Sequence, residues 1–176
     1  MNTVAADTVL RECSLEMRLQ VSDMIYETCM ALNAENWKVF LEACDPHAFR
    51  YRITNYSPEI RREQCWMDRD FKGLKAMIDI LPRHNSDHSP LTRHTTVYKV
   101  VADEASGEMR ATSQVAIYRT QLDGMNSHFE SGRTELFAVG RYEDRVKLPD
   151  GGRPRLVART VVLDTRQIDI GSHLPL

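Results

Sequence analysis

The prevailing hydrophobic period of this chain changes near Leu91, and this change constrains the fold more than any other feature. Before it, apolar residues recur every three or four positions, as on one face of a helix. After it, they alternate with polar residues, as in strands with one buried face. Helices in one half of a chain and strands in the other half pack as layers, with the helices on one face of a sheet. The sequence therefore predicts an α+β fold.

Three helices are predicted in the first half. The first covers about residues 10–32 with Asp7 as its cap, and the second runs from Trp37 to Cys44, where Asp45-Pro46 stops it. Residues 48–54 alternate as a half-buried strand should. The third helix presents one apolar face, made of Phe71, Leu74, Ile78 and Leu81.

Four consecutive antiparallel strands are predicted in the second half, because turn signals at residues 105–107, 123–124 and 150–152 divide it. Strands of this length twist strongly and should curl around the helices. The last stretch, Arg153 to Leu176, is too apolar for a strand with one face in water. We expect the core on one of its faces and a partner on the other. No linker divides the chain, so residues 1–176 are expected to form a single domain.

Composition excludes several classes of function. The 176 residues carry a net charge of -2, from 23 basic and 25 acidic side chains, which provides no field to attract nucleic acid. No apolar run reaches the roughly 18 residues of a membrane span. The first residues lack the pattern of a secretory signal. We therefore expect a cytoplasmic protein that binds neither nucleic acid nor membrane, with reduced, unpaired cysteines.

The order of elements resembles the cone-shaped fold of the nuclear-transport-factor-2-like superfamily. Five segments, taken in order, resemble the small (beta) subunit of Rieske-type ring-hydroxylating oxygenases: residues 36–41, 49–55, 93–97, 137–144 and 162–166. The short length and the ending GSHLPL are similar to the hydroxylase and monooxygenase branches, including the methanesulfonate monooxygenase small subunit.

This resemblance implies three N-terminal helices packed on a long, curved antiparallel sheet, and a structural role without catalysis. Beta subunits of the family assemble with a large alpha subunit and with other beta subunits, typically as three alpha and three beta subunits. The alpha subunit holds the Rieske [2Fe-2S] cluster and the mononuclear iron, and a ferredoxin and a reductase act on the complex. The resemblance therefore implies no cofactor, metal or catalytic residue in this chain.

The residues themselves agree with this implication. A Rieske cluster needs a C-x-H pair and a C-x-x-H pair, and no cysteine of this chain is followed two residues later by histidine. A mononuclear iron site needs two histidines and a carboxylate on one face. His84, Asp87 and His88 have these side chains, but they occur in an Asn/Ser-rich loop that favours a solvated segment over a metal site.

Two alternatives remain open. Cone-fold enzymes of the dehydratase or isomerase type transfer protons with a histidine, tyrosines and a carboxylate, and His94, Tyr98 and Tyr118 could supply part of such a site. No carboxylate is placed by spacing to complete it, which favours a histidine with a structural role. The second alternative is a dimeric module that binds a small ligand.

The strands are rich in arginine and poor in lysine, which favours planar, partly desolvated ion pairs at an interface. Interleaved acidic residues argue against a nucleic-acid surface. The candidates for contacts between subunits are Arg141, Arg159, Asp164, Arg166 and His173. On this interpretation, changing Arg159 or Arg166 to alanine weakens assembly and leaves the secondary structure of the isolated chain intact.

Overall fold

The computed structural model describes residues 10–84, 88–122, 131–149, 151–167 and 174–176. Its helices are α1 (Leu15–Asn33), α2 (Trp37–Glu42) and α3 (Phe71–His84). Its strands are β1 (Leu10–Glu12), β2 (Arg50–Ser57), β3 (Arg62–Asp70), β4 (Leu91–Asp103), β5 (Glu108–Thr120), β6 (Thr134–Lys147) and β7 (Arg155–Leu163). All of these strands join one sheet in the order β1-β4-β5-β6-β7-β2-β3. The predicted α+β architecture is confirmed.

The strands β4, β5, β6 and β7 are consecutive and antiparallel, as predicted. The sheet as a whole is mixed, because β2 pairs with β7 in parallel, with Tyr51 opposite Arg159 and Ile53 opposite Val161. The alternation of apolar and polar residues is the same in both directions of pairing, so the sequence pattern could not show this.

Strand β3 was not predicted. The sequence predicted no strand between residues 48–54 and the third helix, but residues 62–70 pair antiparallel with β2 along the edge of the sheet. Most β3 side chains are exposed, so the segment lacks the apolar face that identifies a strand. A polar sequence is typical of an edge strand, because exposed apolar edges promote aggregation.

The first helix begins later than predicted. Ser14 caps it, with its hydroxyl oxygen accepting a hydrogen bond from the backbone N–H of Met17 at 3.2 Å. Residues 10–12, which the helical spacing had included, form the short strand β1 beside the end of β4. The predicted cap Asp7 lies outside the described residues.

The core lies between the helices and the inner face of the curved sheet. Register shifts interrupt the pairing of β4 with β5, of β5 with β6 and of β6 with β7, and such bulges increase the local twist. Gly140 allows β6 and β7 to approach closely, since a Cβ atom there would lie 2.4 Å from the backbone oxygen of Val162. In the described part of the chain, no helix has the length and apolar character needed to cross a membrane.

Helix α1 runs along the edge of β4 that β1 leaves uncovered. The Asn33 side chain bonds the backbone N–H and C=O of Arg93, at 2.8 and 3.4 Å. The hydroxyl oxygen of Tyr26 accepts a hydrogen bond from the backbone N–H of Val97 at 3.3 Å. These side chains satisfy backbone groups of β4 that an exposed sheet edge would leave unpaired.

Candidate functional site

The interior of the cone contains a fully buried ion pair between Arg159 on β7 and Asp144 on β6. Two parallel hydrogen bonds of 2.8 Å join the guanidinium to the carboxylate, and both side chains are 0% exposed. Arg159 also donates to the Thr28 hydroxyl at 3.2 Å and lies over the Tyr142 ring, 4.4 Å from its centre. Burial disfavours the charged guanidinium, but the Asp144 carboxylate more than offsets this and raises the pKa of Arg159.

This position corrects the expectation that Arg159 lies at a subunit interface. Its side chain is surrounded by residues of its own chain and reaches no surface that a partner could touch. A charged residue that interrupts an apolar run can lie at an interface or be paired in the core, and the sequence alone favoured the first. The physical reason for the second is the Asp144 carboxylate, which Arg159 meets across the β6–β7 pair.

The segment Leu174–Leu176 also lies inside the cone. The Tyr51 hydroxyl donates to the backbone oxygen of Leu176 and accepts from its backbone N–H, both at 2.8 Å. Arg93 donates to the backbone oxygen of Pro175 at 2.6 Å. Both leucines are buried. We had expected this end of the chain to contact a partner, whereas these three residues fill the core of their own subunit.

These contacts leave the interior poorly suited to acid–base chemistry. Asp144 is the carboxylate that a proton transfer in the cone would use, and Arg159 already holds it as an ion pair. Burial raises the pKa of the Tyr51 and Tyr142 hydroxyls, so both stay protonated near neutral pH. The buried ion pair and the protonated tyrosines therefore stabilise the fold and are poorly placed to transfer protons in a reaction.

The acid–base site suggested by the sequence is not formed. His94 and Tyr118 pack edge to face with ring centres 5.3 Å apart, on the outer face of the sheet. The neighbouring Arg93 points inward and is buried, while His94 and Tyr98 are exposed. Alternation along β4 predicted a strand, but it could not show which face would point into the cone.

Metal ligands do not converge in the described part of the chain, where no three His, Cys, Asp or Glu side chains are grouped for an ion. Asp87 lies outside the described residues. The sequence contains one C-x-x-H half-motif, Cys44 and His47, that has no C-x-H companion. The Cys44 thiol is buried, which raises its pKa to about 12, and it donates to the backbone oxygen of Phe40 at 3.3 Å. Cys44 is therefore a protonated core thiol near neutral pH.

An apolar groove of about 690 Å³ lies on the surface between α2 and α3. Trp37, Leu41, Phe71 and Ile78 contribute to its walls. The charged residues at this groove include the surface ion pairs Lys38–Glu42 and Lys75–Asp79. The lining of the groove also includes Cys44, whose protonated thiol is not a nucleophile near neutral pH.

Three of the interface candidates lie near the place where the end of β7 pairs with the middle of β6. Asp164 is exposed just after β7, and its backbone N–H donates to the oxygen of Val139 on β6 at 2.9 Å. Arg141 lies on β6 two residues beyond Val139, and Arg166 follows Asp164 by two residues. His173 lies outside the described residues.

The arginines of this surface already have carboxylate partners within the chain. Arg141 donates to Glu143 at 2.9 Å, and Arg166 donates to both carboxylate oxygens of Glu59 at 2.5 Å. The Arg166 hydrogen bond, followed by backbone and Ser57 contacts, lowers the pKa of Glu59 to about 2. Elsewhere on the sheet Arg50 pairs with Asp68, Arg110 with Asp103 and Arg145 with Glu108. The abundance of arginine is thus explained largely by ion pairs inside one subunit.

No protein-family model matches the chain. Among curated proteins, the methanesulfonate monooxygenase hydroxylase subunit beta of Methylosulfonomonas methylovora is 39% identical over 157 residues, covering 89% of this chain and 85% of that protein. The 2-aminobenzenesulfonate 2,3-dioxygenase subunit beta of Alcaligenes sp. is 32% identical over 158 residues, covering 90% of this chain and 98% of that protein.

A solved structure shares the fold. The beta subunit assigned to an aromatic-ring-hydroxylating dioxygenase of Novosphingobium aromaticivorans superposes with a TM-score of 0.68 at 18% identity, covering 89% of this chain and 95% of that one. The predicted nuclear-transport-factor-2-like cone fold is confirmed by this likeness. Identity of 39% across nearly the whole length of both proteins indicates more than a shared fold, and the chain belongs to the beta subunits of multicomponent ring-hydroxylating oxygenases.

Proposed function

We propose that this chain is the small, non-catalytic subunit of a Rieske non-haem iron oxygenase, in which a larger alpha subunit holds both iron centres. The observation that carries this proposal is the filled cone. Arg159 and Asp144 neutralise each other inside it, and Leu174–Leu176 occupy space that a substrate would need. A cone packed in this way supports a partner mechanically and leaves the oxidation to that partner.

The names of the relatives support a substrate class. The names of both curated relatives include an organic sulfonate, methanesulfonate in one and 2-aminobenzenesulfonate in the other. We propose that the complex hydroxylates an organosulfonate, which the alpha subunit binds. Three alpha and three beta subunits, electron supply by a ferredoxin and a reductase, and a cytoplasmic location complete the proposal. Arg141, Asp164, Arg166 and His173 remain proposed contact residues.

Purification of the tagged chain from its native host tests the proposal. We expect a larger subunit to elute with it, together with iron and the visible absorption of a Rieske cluster. The matched control is the chain expressed alone, which should bind no iron. Organosulfonate-dependent oxygen uptake by the complex, with the corresponding carboxylate as a control substrate, tests the substrate class. Iron bound by the isolated chain, or purification without a larger subunit, would contradict the proposed function.

A further inference from the structure

Helix α1 has a second apolar face that the fold leaves uncovered. Its core face includes Val21, Ile25 and Leu32, which are buried. Four large apolar side chains stay exposed, and they form what is here called the α1 stripe: Leu15 at 71%, Leu19 at 53%, Tyr26 at 40% and Met30 at 70% exposure. With about 100° between successive residues of a helix, these four lie within a sector of about 60° beside the core face, on the flank that adjoins the edge of β4, where the Tyr26 hydroxyl accepts a hydrogen bond from Val97.

The α1 stripe is large for a surface that faces only water. Together its side chains expose on the order of 450 Å² of largely apolar area, within the range of the largest patches on soluble proteins, which are often functional. One partner of a standard protein interface buries about 800 Å², so the α1 stripe could supply roughly half of such an interface. A surface helix of a monomer carries polar residues at these positions.

One flank of the α1 stripe is acidic. Glu16, Asp23 and Glu27 follow each other along that side of the helix, and all three are exposed. Asp23 and Glu27 also line a cleft that carries Arg153 and Arg155. Among the described residues, no Lys, Arg or His nitrogen forms a salt bridge with any of these three carboxylates. The surface thus combines an apolar centre with an acidic border whose carboxylates form no direct salt bridge among the described residues.

This charge pattern disfavours pairing of the α1 stripes of two copies of the chain. Two α1 helices packed antiparallel about a two-fold axis bring the same flank of each together, so Glu16 of one copy would approach Glu27 of the other. A parallel pair would place three carboxylates against the opposite flank, which carries only Arg18 as a charged residue. Like charges at an interface reduce affinity and exclude wrong partners.

We propose that the α1 stripe is a docking surface for the larger, iron-bearing subunit, which would meet it with an apolar surface bordered by Lys or Arg side chains. The proposal rests on the function proposed above, which supplies the larger subunit. It names a surface distinct from the candidates Arg141, Asp164 and Arg166, because α1 lies along β4 and those residues lie on β6 and after β7.

Two variants test the apolar centre and the acidic border separately. Leu19→Gln with Met30→Gln removes apolar contact and adds no charge, while Glu16→Lys, Asp23→Lys and Glu27→Lys together reverse the border. The matched control is Ile80→Gln on α3, since Ile80 is an apolar helix residue with a similar exposure of 46%. Affinity for the purified larger subunit is measured by analytical ultracentrifugation at low and high salt. Circular dichroism of each isolated variant checks that it folds.

We expect the double variant to bind about 30-fold more weakly or worse, as for loss of an interface hot spot. The triple variant should bind at least about 10-fold more weakly at low salt, with a smaller difference at high salt. The control should bind like the unchanged chain. Because the triple variant changes only exposed polar positions, it remains informative if the double variant folds poorly.

Two results would overturn the inference and leave the proposed function standing. The first is a larger subunit that binds the unchanged chain and both variants equally. The second is a change in the mass of the isolated chain on substitution while its affinity for the larger subunit is unchanged, which would identify a second copy as the occupant. A chain that binds no larger iron subunit at all would instead refute the proposed function, and this inference with it.

Discussion

Replacing Arg159 by methionine should destabilise the isolated chain severely, which is the reverse of what the sequence alone suggested. Methionine fills similar space but leaves the Asp144 carboxylate in the core without its counter-charge and without two hydrogen bonds of 2.8 Å. Removing one member of a buried ion pair typically costs about 3–5 kcal/mol. The free energy of unfolding of a domain is about 5–15 kcal/mol in total, so this change removes a large part of it.

The magnitude can be separated into its parts with a double-mutant cycle. Asp144→Leu alone leaves the Arg159 guanidinium uncompensated and should cost a similar amount. The combined variant removes both charges together, and replacing a whole buried pair by apolar residues is often close to neutral. We therefore expect the double variant to be more stable than the sum of the single effects predicts by several kcal/mol, since two single costs of about 3–5 kcal/mol each would otherwise add.

The assay is urea unfolding of the isolated chain near neutral pH, followed by far-ultraviolet circular dichroism. The matched control is Arg141→Met, which breaks the exposed pair with Glu143 and should cost less than about 1 kcal/mol. An Arg159→Met variant as stable as this control would refute the buried pair. Additive single effects in the double variant would refute the coupling between the two charges.

Three further outcomes are expected. Gly140→Ala should cost about 1–3 kcal/mol in urea unfolding, because its Cβ would lie 2.4 Å from the Val162 oxygen; an unchanged midpoint would show that the strands are not this close. The pKa of Glu59 is lowered to about 2, chiefly by Arg166, so this pair contributes stability above the ordinary pKa of 4.5 and loses it as pH falls towards 2. In Arg166→Ala, the pKa of the Glu59 carboxyl, measured by nuclear magnetic resonance, should rise towards its ordinary value. An unchanged pKa would contradict the pairing. Cys65 is an exposed thiol, so Cys65→Ser should remove a fast phase of reaction with a thiol reagent at pH 8, and persistence of that phase would place the reactive thiol elsewhere.

Much of the architecture could be predicted because periodicity reports burial directly. The change of period near Leu91 placed the helices and the four antiparallel strands in their correct order. Strand β3 was not predicted because an edge strand with two exposed faces has no periodic pattern of apolar residues. The parallel pairing of β2 with β7 was not predicted because the alternation of apolar and polar residues does not reveal the direction of the neighbouring strand.

The site was harder to predict because a residue type does not reveal what covers it. Arg159 interrupts an apolar run in the same way at an interface or in a core, and only the partner strand decides between them. One signal was available. Asp144 lies two residues after the buried Tyr142 on β6 and therefore on the same face of the strand, which indicates a buried carboxylate that needs a partner. The apolar residues Leu174 and Leu176 likewise fit a partner contact or their own core until Tyr51 and Arg93 are seen to hold that segment.

The central claim is that this chain supports a complex whose iron lies entirely in the other subunit. The most direct test separates the subunits of the purified complex under mild conditions and measures iron in each fraction. We predict that the small-subunit fraction contains no iron above the buffer blank. The iron and the Rieske absorption should remain with the larger subunit, and any iron released during separation should come from it. Iron that follows the small subunit in a fixed ratio would contradict the account.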